Sequence, residues 1–364
     1  MGPRLGDARI GIMAGGTGGH VFPALAVAEA LRTQGMQVFW IGTKRGMESR
    51  LVPEHGFELE RVRIEGLRGK GLAQVLGAPF KLVAALWQAV EILRRRAPSV
   101  VLGMGGFASG PGGLAARVLG LPLVIHEQNR VPGMTNQWLA RIATRVFEAF
   151  PGSFPPPRRA IASGNPVRRA IAELPTPRER FAGRSDPANL LVVGGSLGAK
   201  ILNETVPAAL ALIPEQERPR VRHQAGQQTL DVARRAYADA GVAAEITPFI
   251  ADMAEAYGWA DLVVCRAGAL TVSELAAAGV GSILVPYPYA VDDHQTGNAR
   301  YLADAGAARL VSQSDLSAAG LARQLRELLG DRATLLDMAE AARARAHPDA
   351  AERIAAACWE LARR

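Results

Sequence analysis

The chain alternates between short apolar runs and helix-length amphipathic segments. Segments such as Pro23–Thr33 have helical length, with a proline near the start and Gly35 past the end. Strands separated by helices predict parallel sheets covered by helices on both faces, an α/β fold. Eleven runs of four to six residues are typical of buried strands: Arg9–Ala14, Gln37–Gly42, Ser99–Met104, Leu121–His126, Arg145–Phe150, Asn189–Val193, Val221–Gln224, Ala244–Thr247, Asp261–Cys265, Ser282–Pro286 and Ala308–Val311.

The two halves of the chain begin alike. A strand, a glycine-rich turn and a helix follow one another at Arg9–His20 and again at Asn189–Lys200. At roughly 150 residues per domain, 364 residues also predict two domains. We therefore predict two Rossmann-like domains with parallel sheets facing a cleft. They comprise residues 1–164 and 165–346, with a C-terminal helix at about 347–364 packing back on the first, and the proline-rich stretch 151–165 marks the junction.

The composition excludes several classes of protein. Hydrophobic residues make up 49% and charged residues 21% of the chain, which excludes a disordered protein. Cys265 and Cys358 are too few for a disulfide scaffold and lack metal-site spacing, so reduced thiols in a cytosolic protein are expected. The first residues lack a signal-peptide core. No run approaches the roughly 18 apolar residues of a spanning helix.

The net charge of +8 is unevenly distributed. Residues 1–162 contain 20 Lys/Arg and 10 Asp/Glu, whereas residues 163–364 contain 22 and 24. The basic excess therefore lies in the first half, where it favours an anionic partner. No nucleic-acid-binding motif accompanies it, so we expect no nucleic-acid partner.

Glycine-rich turns and polar strand ends indicate a ligand site. The turns at 15–19, 103–113 and 194–198 each lead into a helix, an arrangement that suits phosphate binding. The dinucleotide fingerprint fails in both halves and the Walker A pattern fails as well, which disfavours an NAD-dependent oxidoreductase. Polar residues follow three strands, at 126–129, 265–274 and 292–295. Strand ends of this kind form the sites of α/β proteins.

These motifs together resemble the MurG family of peptidoglycan N-acetylglucosaminyltransferases, in glycosyltransferase family 28. The resemblance covers almost the whole chain and is carried, in family order, by Gly15-Gly-Thr-Gly-Gly-His-Val-Phe-Pro23, Gly103-Met-Gly-Gly106, His126-Glu-Gln-Asn129, Gly164-Asn-Pro-Val-Arg168, Gly194-Gly-Ser196, Arg266-Ala-Gly-Ala-Leu-Thr-Val-Ser-Glu274 and Asp293-His-Gln-Thr296. It implies the two-domain GT-B fold. It also implies an inverting enzyme that moves GlcNAc from UDP-GlcNAc to the 4-hydroxyl of MurNAc-pentapeptide pyrophosphoryl-undecaprenol, with no cofactor and no metal ion.

The resemblance implies two candidates for the general base. His20 matches the family's proposed base, which takes the proton from the acceptor's 4-hydroxyl, and an imidazole suits that role near neutral pH. Glu127 is the rival, because a carboxylate beside Asn129 at a strand end can do the same chemistry. The sequence leaves both open.

The resemblance also implies the substrate-binding residues. Thr17, Gly18 and Gly19 would lie against the donor sugar and the acceptor's pyrophosphate, and Glu274 would accept hydrogen bonds from both ribose hydroxyls. Asn129 and Gln295 would bind GlcNAc hydroxyls. Arg168 and Ser196 would contact the diphosphate of the donor, with the uracil side as the alternative for Arg168. Backbone groups near Ile250 would bind the uracil. The remaining donor contacts lie at one helix start, whose backbone amides would face the pyrophosphate: Ala269, Leu270, Thr271, Val272 and Ser273.

A segment of the basic half is predicted to meet a membrane. Between residues 70 and 87, apolar side chains recur at helical spacing and basic residues surround them, so we expect a helix that buries one face and offers another to anionic lipid. The loop at 66–71 is the expected partner of the acceptor's phosphates. With the resemblance, this implies a peripheral enzyme at the cytoplasmic face of the inner membrane, with cell-wall synthesis proteins as further partners. The apolar residues are Leu72, Val75, Leu76, Phe80, Val83 and Trp87, and the basic ones Arg61, Arg63, Arg68, Lys70, Lys81 and Arg94–Arg96.

Two other functions remain compatible with the sequence. The first is a nucleotide-sugar epimerase or hydrolase on the same fold. The second is a non-catalytic membrane-recruitment protein that retains a nucleotide-sugar pocket, for which His20 would be dispensable.

Overall fold

A computed structural model describes residues 8–44, 46–64, 78–195 and 198–363 of the chain. The chain divides into two compact units. The first unit comprises Met1–Arg168 together with His347–Arg364, and the second comprises Arg169–Ala346. Each has a parallel sheet of its own, so the predicted α/β fold with two Rossmann-like domains is confirmed.

The first unit contains a seven-stranded sheet in the order β3-β2-β1-β4-β5-β6-β7. Its strands are β1 (Arg9–Met13), β2 (Gln37–Gly42), β3 (Glu58–Arg61), β4 (Val100–Gly103), β5 (Leu123–Glu127), β6 (Arg145–Glu148) and β7 (Ile161–Ala162). Its helices are α1 (Gly18–Thr33), α2 (Glu48–Glu54), α3 (Ala78–Arg96), α4 (Ser109–Val118), α5 (Met134–Leu139) and, at the chain's end, α15 (Ala350–Ala362).

The second unit repeats this order with six strands, β10-β9-β8-β11-β12-β13. Its strands are β8 (Asn189–Val193), β9 (Arg220–Gln224), β10 (Glu245–Thr247), β11 (Leu262–Cys265), β12 (Gly281–Leu284) and β13 (Ala308–Leu310). Its helices are α6 (Arg169–Ala172), α7 (Pro177–Ala182), α8 (Lys200–Ala211), α9 (Leu230–Asp239), α10 (Met253–Trp259), α11 (Ala269–Ala278), α12 (His294–Ala303), α13 (Ala318–Leu329) and α14 (Arg332–Arg343).

All eleven predicted strands are present, with ends within two residues of those expected. Two edge elements were not predicted. The strand β3 has the sequence Glu-Leu-Glu-Arg, whose charges suit an exposed edge but hide the strand from a hydrophobic pattern. The strand β7 has only two residues.

The expected start of the first helix at Pro23 is wrong, because α1 begins at Gly18. Pro23 lacks an N–H and therefore removes one helical hydrogen bond, to the carbonyl of Gly19. The hydrophobic burial of Pro23, Leu25 and Leu31, which lie on the buried side of α1, compensates for the lost hydrogen bond. The extra turn brings His20 into the helix.

Alternation along β1 divides the core of the first unit between the two faces of its sheet. Ile10 and Ile12 pack with α1 and α15 on one face, where Ile354 and Cys358 are completely buried. Met13 packs on the opposite face, with side chains of α3, α4 and α5. The last helix is therefore an integral part of the first unit's core.

We predict that Ile354→Ala lowers the free energy of unfolding by about 2–5 kcal/mol, because it leaves a cavity in a filled core. Urea unfolding followed by circular dichroism measures this effect. The matched control is Glu352→Ala on the exposed face of α15, which should stay within about 0.5 kcal/mol of wild type. Equal effects of the two substitutions would show that α15 adds little to this core.

Candidate active site

Each sheet has one point at which the strand order reverses, and a glycine-rich turn lies at both. In the first unit β1 lies between β2 and β4, and in the second β8 lies between β9 and β11. Ligands of open α/β sheets bind at the carboxyl end of the strands at such a point. The turns after β1 and β8 contain Gly15–Gly19 and Gly194–Gly198, so the predicted loops lie where the topology places a site.

The turn after β1 exposes the amino end of α1. Thr17 occupies the N-cap position, but its side chain makes no capping hydrogen bond, and Gly18 and Gly19 form the first turn. Thr17 is exposed, and both glycines are half-buried. The Thr17 side chain therefore leaves the start of a 16-residue helix uncapped at the positive end of its dipole, which is suited to an anionic group.

A buried glutamate that the sequence did not reveal anchors this turn. Glu48 is completely buried at the start of α2. One carboxylate oxygen accepts a hydrogen bond from the Gly16 N–H at 2.9 Å, and the other accepts from the N–H and hydroxyl of Thr43 at 2.8 and 2.7 Å. A Cβ on Gly46 would lie only 1.9 Å from Glu48 Oε2, so the chain needs glycine to enclose this carboxylate.

His20 lies in the first turn of α1, beside the turn after β4. It is half-buried. A Cβ on Gly105 would lie 2.6 Å from Cδ2 and 2.9 Å from Nε2 of its ring. The backbone at Gly105, with a φ of +93°, also favours glycine. The glycine turn after β4 therefore makes room for the imidazole at the sheet's carboxyl edge.

Glu127 is held by four hydrogen bonds. Its Oε1 accepts from the Asn129 N–H at 2.9 Å and from Asn129 Nδ2 at 3.3 Å. Its Oε2 accepts from the Gly133 N–H at 3.1 Å and from Asn136 Nδ2 at 2.9 Å. Burial raises the pKa of Glu127, and these donors oppose that rise. The geometry is that of a side chain that organises the loop before α5.

Asn129 is held from two sides. Glu127 fixes its N–H and side-chain amide, and its carbonyl accepts a hydrogen bond from Ser153 Oγ at 3.2 Å. The turn carrying Ser153 is fixed in turn by Glu148, which pairs in register with Glu127 on the neighbouring strand. The carboxylate of Glu148 accepts hydrogen bonds from the N–H groups of Gly152 and Phe154 at 2.7 and 2.9 Å.

A buried amide network joins the other loops of this edge. Gln128 Nε2 donates a hydrogen bond to the Met104 carbonyl at 2.9 Å and lies 3.2 Å from His126 Nδ1. The other ring nitrogen of His126, Nε2, lies 3.0 Å from the Gly164 carbonyl oxygen. Burial lowers the pKa of His126 to about 4, so its ring is neutral at physiological pH. A neutral ring that donates through Nε2 and accepts through Nδ1 satisfies both contacts.

Arg168 lies at the end of the first unit. Its guanidinium is 5.6 Å from the ring centre of Phe22, on α1. The side chain is half-buried.

In the second unit, the predicted donor-binding residues gather on α11. Gly268 is its N-cap and carries no side chain to cap the first amides. Two of the predicted residues are buried, Ala269 and Val272, and three are half-buried, Leu270, Thr271 and Ser273. The Ser273 hydroxyl donates a hydrogen bond to the Ala269 carbonyl at 2.9 Å. Glu274 is 5% exposed and accepts a hydrogen bond from the Tyr257 hydroxyl at 3.3 Å. Tyr257 was not among the predicted site residues.

The remaining predicted contacts lie on neighbouring strand ends or outside the described residues. Gln295 is the second residue of α12, and its Oε1 accepts a hydrogen bond from the Tyr287 N–H at 2.9 Å. Ile250 is half-buried, three residues past the end of β10. Ser196 lies outside the described residues. Arg266, part of the same motif, instead holds the Val285 and Pro286 carbonyls at 3.1 Å each.

The described part of the predicted membrane segment forms the start of α3. This helix buries Ala85 and Ala89, whereas Phe80, Val83 and Trp87 are 80, 66 and 70% exposed. Leu72, Val75, Leu76 and the loop 66–71 lie outside the described residues. Exposed apolar side chains continue onto α4, which packs on α3, and onto α5 beyond it: Leu114, Val118, Met134 and Trp138.

Some of the basic residues predicted around this segment have other partners. Arg95 and Arg96 form ion pairs with Glu60, and Arg96 also pairs with Glu58. Lys81 and Arg94 are exposed on α3 itself. Arg141, which was not predicted, lies 4.1 Å from the ring centre of the exposed Trp138.

Within the described ranges, no group of three or more His, Cys, Asp or Glu side chains is arranged to hold a metal ion. In the same part of the chain, no helix has the length and apolar character required to cross a membrane.

Both units of the chain match known proteins. The glycosyltransferase family 28 N-terminal domain matches residues 10–148, and the family's C-terminal domain matches residues 189–354. A protein of Alkalilimnicola ehrlichii is 58% identical over 97% of this chain and 98% of its own length. A protein of Marinobacter nauticus is 56% identical over 96% and 97%. Both are named UDP-N-acetylglucosamine–N-acetylmuramyl-(pentapeptide) pyrophosphoryl-undecaprenol N-acetylglucosamine transferase.

A solved structure agrees with these relatives. The crystal structure of Acinetobacter baumannii MurG superposes with a TM-score of 0.83 at 44% identity, covering 97% of this chain and 99% of that one. The similarity therefore extends over both units.

We predict that Glu48→Gln destabilises the protein by about 1–3 kcal/mol, because an amide would place a donor against the N–H of Gly16 or Thr43. Chemical denaturation measures this change. Glu54→Gln, an exposed substitution on the same helix, is the matched control and should have little effect. If both variants unfold at the same denaturant concentration as wild type, Glu48 does not anchor the turn.

Proposed function

This chain belongs to glycosyltransferase family 28, and we propose that it transfers GlcNAc from UDP-GlcNAc to the 4-hydroxyl of MurNAc-pentapeptide pyrophosphoryl-undecaprenol. The observation that carries this proposal is the match of both units, over nearly the whole chain, to relatives named for that transfer. The site geometry supports it, because an uncapped helix start follows β1 at the first unit's switch point, and another follows β11, the strand beside β8 at the second unit's switch point.

We assign the second unit, residues 165–346 in the sequence prediction, to the donor. The amides of Ala269, Leu270 and Thr271 would face the diphosphate at the start of α11, where the helix dipole favours negative charge. The same amides would stabilise the charge that develops on the departing UDP. Glu274 would bind the ribose hydroxyls, backbone groups near Ile250 the uracil, and Gln295 the GlcNAc hydroxyls.

We assign the first unit to the acceptor, with His20 as the general base. Its imidazole would take the proton of the 4-hydroxyl as that oxygen attacks the anomeric carbon of GlcNAc and the bond to UDP breaks. A single displacement inverts the anomeric configuration. The contacts of Glu127 favour His20 for this role, because both carboxylate oxygens are already occupied in holding Asn129, Gly133 and Asn136.

The exposed apolar surface of α3 supports docking at a membrane. Phe80, Val83 and Trp87 would enter the interfacial region, while Lys81 and Arg94 would attract anionic headgroups by about 1 kcal/mol each. We propose a peripheral enzyme that meets its lipid acceptor at the cytoplasmic face of the inner membrane.

We predict that His20→Ala lowers the turnover number for GlcNAc transfer by about 10²–10⁴-fold and leaves UDP-GlcNAc affinity nearly unchanged. Transfer of radiolabelled GlcNAc to a short-chain lipid acceptor measures turnover, and calorimetry measures affinity. His55→Ala, which replaces the histidine at the C-cap of α2 that contacts the Leu51 carbonyl, should retain activity.

Other outcomes would reject parts of this proposal. A folded Glu127→Gln variant without turnover, beside an active His20→Ala variant, would transfer the role of base to Glu127. Full function of His20→Ala would instead support the recruitment protein. Release of free GlcNAc or an epimerised UDP-sugar, without lipid product, would support the hydrolase or epimerase.

We predict that Phe80→Asp with Trp87→Asp weakens binding to phosphatidylglycerol-containing vesicles by at least about tenfold, since two aromatic side chains that would enter the lipid are replaced by charges that anionic lipid repels. Vesicle sedimentation at low and high salt measures this. Leu212→Asp, at an apolar residue 57% exposed in the second unit, is the control and should bind normally. Binding that responds to neither salt nor the α3 substitutions would reject the docking surface.

A further inference from the structure

A buried tyrosine contacts the carboxylate that the proposed function assigns to the ribose. Tyr257, on α10, is 1% exposed, and its hydroxyl donates to Glu274 Oε2 at 3.3 Å. Glu274, on α11, is 5% exposed. The phenol is thus too deeply buried to serve as a ligand-binding group at the surface, and its hydroxyl contacts the carboxylate inside the unit.

Tyr257 is also fixed through its backbone. Arg180, on α7, donates to the Tyr257 carbonyl at 3.2 Å and to the Ala278 carbonyl, at the end of α11, at 2.8 Å. The same guanidinium contacts the carbonyl of Gly279, and Arg343 contacts that of Ala277. One arginine therefore ties the residue that carries the phenol to the helix that carries the carboxylate.

This arrangement constrains the terminal torsion of Glu274. Rotation of a carboxylate about its last bond is broad and weakly restricted in the absence of a partner. A hydrogen bond to one oxygen from a fixed phenol selects one orientation of the carboxylate plane. A carboxylate oriented in advance can accept hydrogen bonds from two adjacent hydroxyls without the entropic cost of ordering it upon binding.

We infer that Tyr257 is a positioning residue that orients Glu274 toward the vicinal 2′- and 3′-hydroxyls of a ribonucleoside diphosphate, and thereby sets the preference for ribose over deoxyribose. This inference rests on the proposed function, because it takes Glu274 as the ribose ligand. It adds that the selectivity depends on a side chain that never touches the nucleotide.

The test compares Tyr257→Phe with Tyr237→Phe. Tyr237 is an equally buried tyrosine of the same unit, 2% exposed, whose hydroxyl contacts His223 Nδ1 at 3.0 Å. Each variant keeps its aromatic ring and loses one buried hydrogen bond. Calorimetry of the full chain with UDP and with 2′-deoxy-UDP gives the dissociation constants, and thermal unfolding reports the cost in stability.

Tyr257→Phe is expected to weaken UDP binding by about 5–30-fold and 2′-deoxy-UDP binding by less than about threefold. It should raise the KM for UDP-GlcNAc with little change in kcat. Tyr237→Phe should leave both dissociation constants unchanged at a comparable cost in stability. In a Glu274→Gln background, the additional effect of Tyr257→Phe on UDP binding should disappear.

Three results would overturn the inference. UDP binding by Tyr257→Phe at wild-type affinity would remove the positioning role. Equal losses for UDP and 2′-deoxy-UDP would show that the phenol supports only the packing of α11. A persistent effect of Tyr257→Phe in the Glu274→Gln background would show that it does not act through Glu274. Failure of the wild-type chain to bind UDP at all would instead reject the proposed function, and this inference with it.

Discussion

Buried carboxylates that accept hydrogen bonds from backbone amides hold the loops on which the first unit's site depends. Glu48, Glu127 and Glu148 each accept from two main-chain N–H groups. Irregular loops at a sheet edge cannot satisfy these amides among themselves, and an unpaired buried N–H is costly. A carboxylate satisfies two of them with strong, charge-assisted bonds, which offset its own desolvation.

The consequence is that the loops around the candidate site are held by the chain's own hydrogen bonds. Glu48 fixes the turn that leads into His20, and Glu127 with Glu148 fixes both sides of Asn129. Loops held in this way do not need to be ordered when a sugar or a phosphate binds, so binding energy remains for orientation and chemistry.

Much of the fold could be predicted because its signal is local. Buried parallel strands are nearly continuous apolar runs, and the repeated strand, glycine turn and helix made the two units visible. The polar edge strand β3 could not be found in this way. Its place is set by pairing with β2, and a hydrophobic pattern does not record pairing.

The candidate site was predictable where motifs lie in single segments, and not where distant segments meet. Glu48 gave no signal because Gly16, its partner, lies 32 positions away. Tyr257 looks like any core aromatic until its contact with Glu274 is known. Glu127 illustrates a different limit: its residue type and position suit a base, but its contacts are those of a loop anchor.

The last helix has a consequence for how the chain is made. The second unit is one continuous segment, whereas the first needs residues from both ends of the chain. Ile354, Cys358 and Leu361 complete the apolar cluster begun by Ile10 and Ile12. During synthesis the first unit emerges first, yet the face of its sheet that α1 covers stays incompletely buried until α15 leaves the ribosome. The second unit, although made later, can finish folding first.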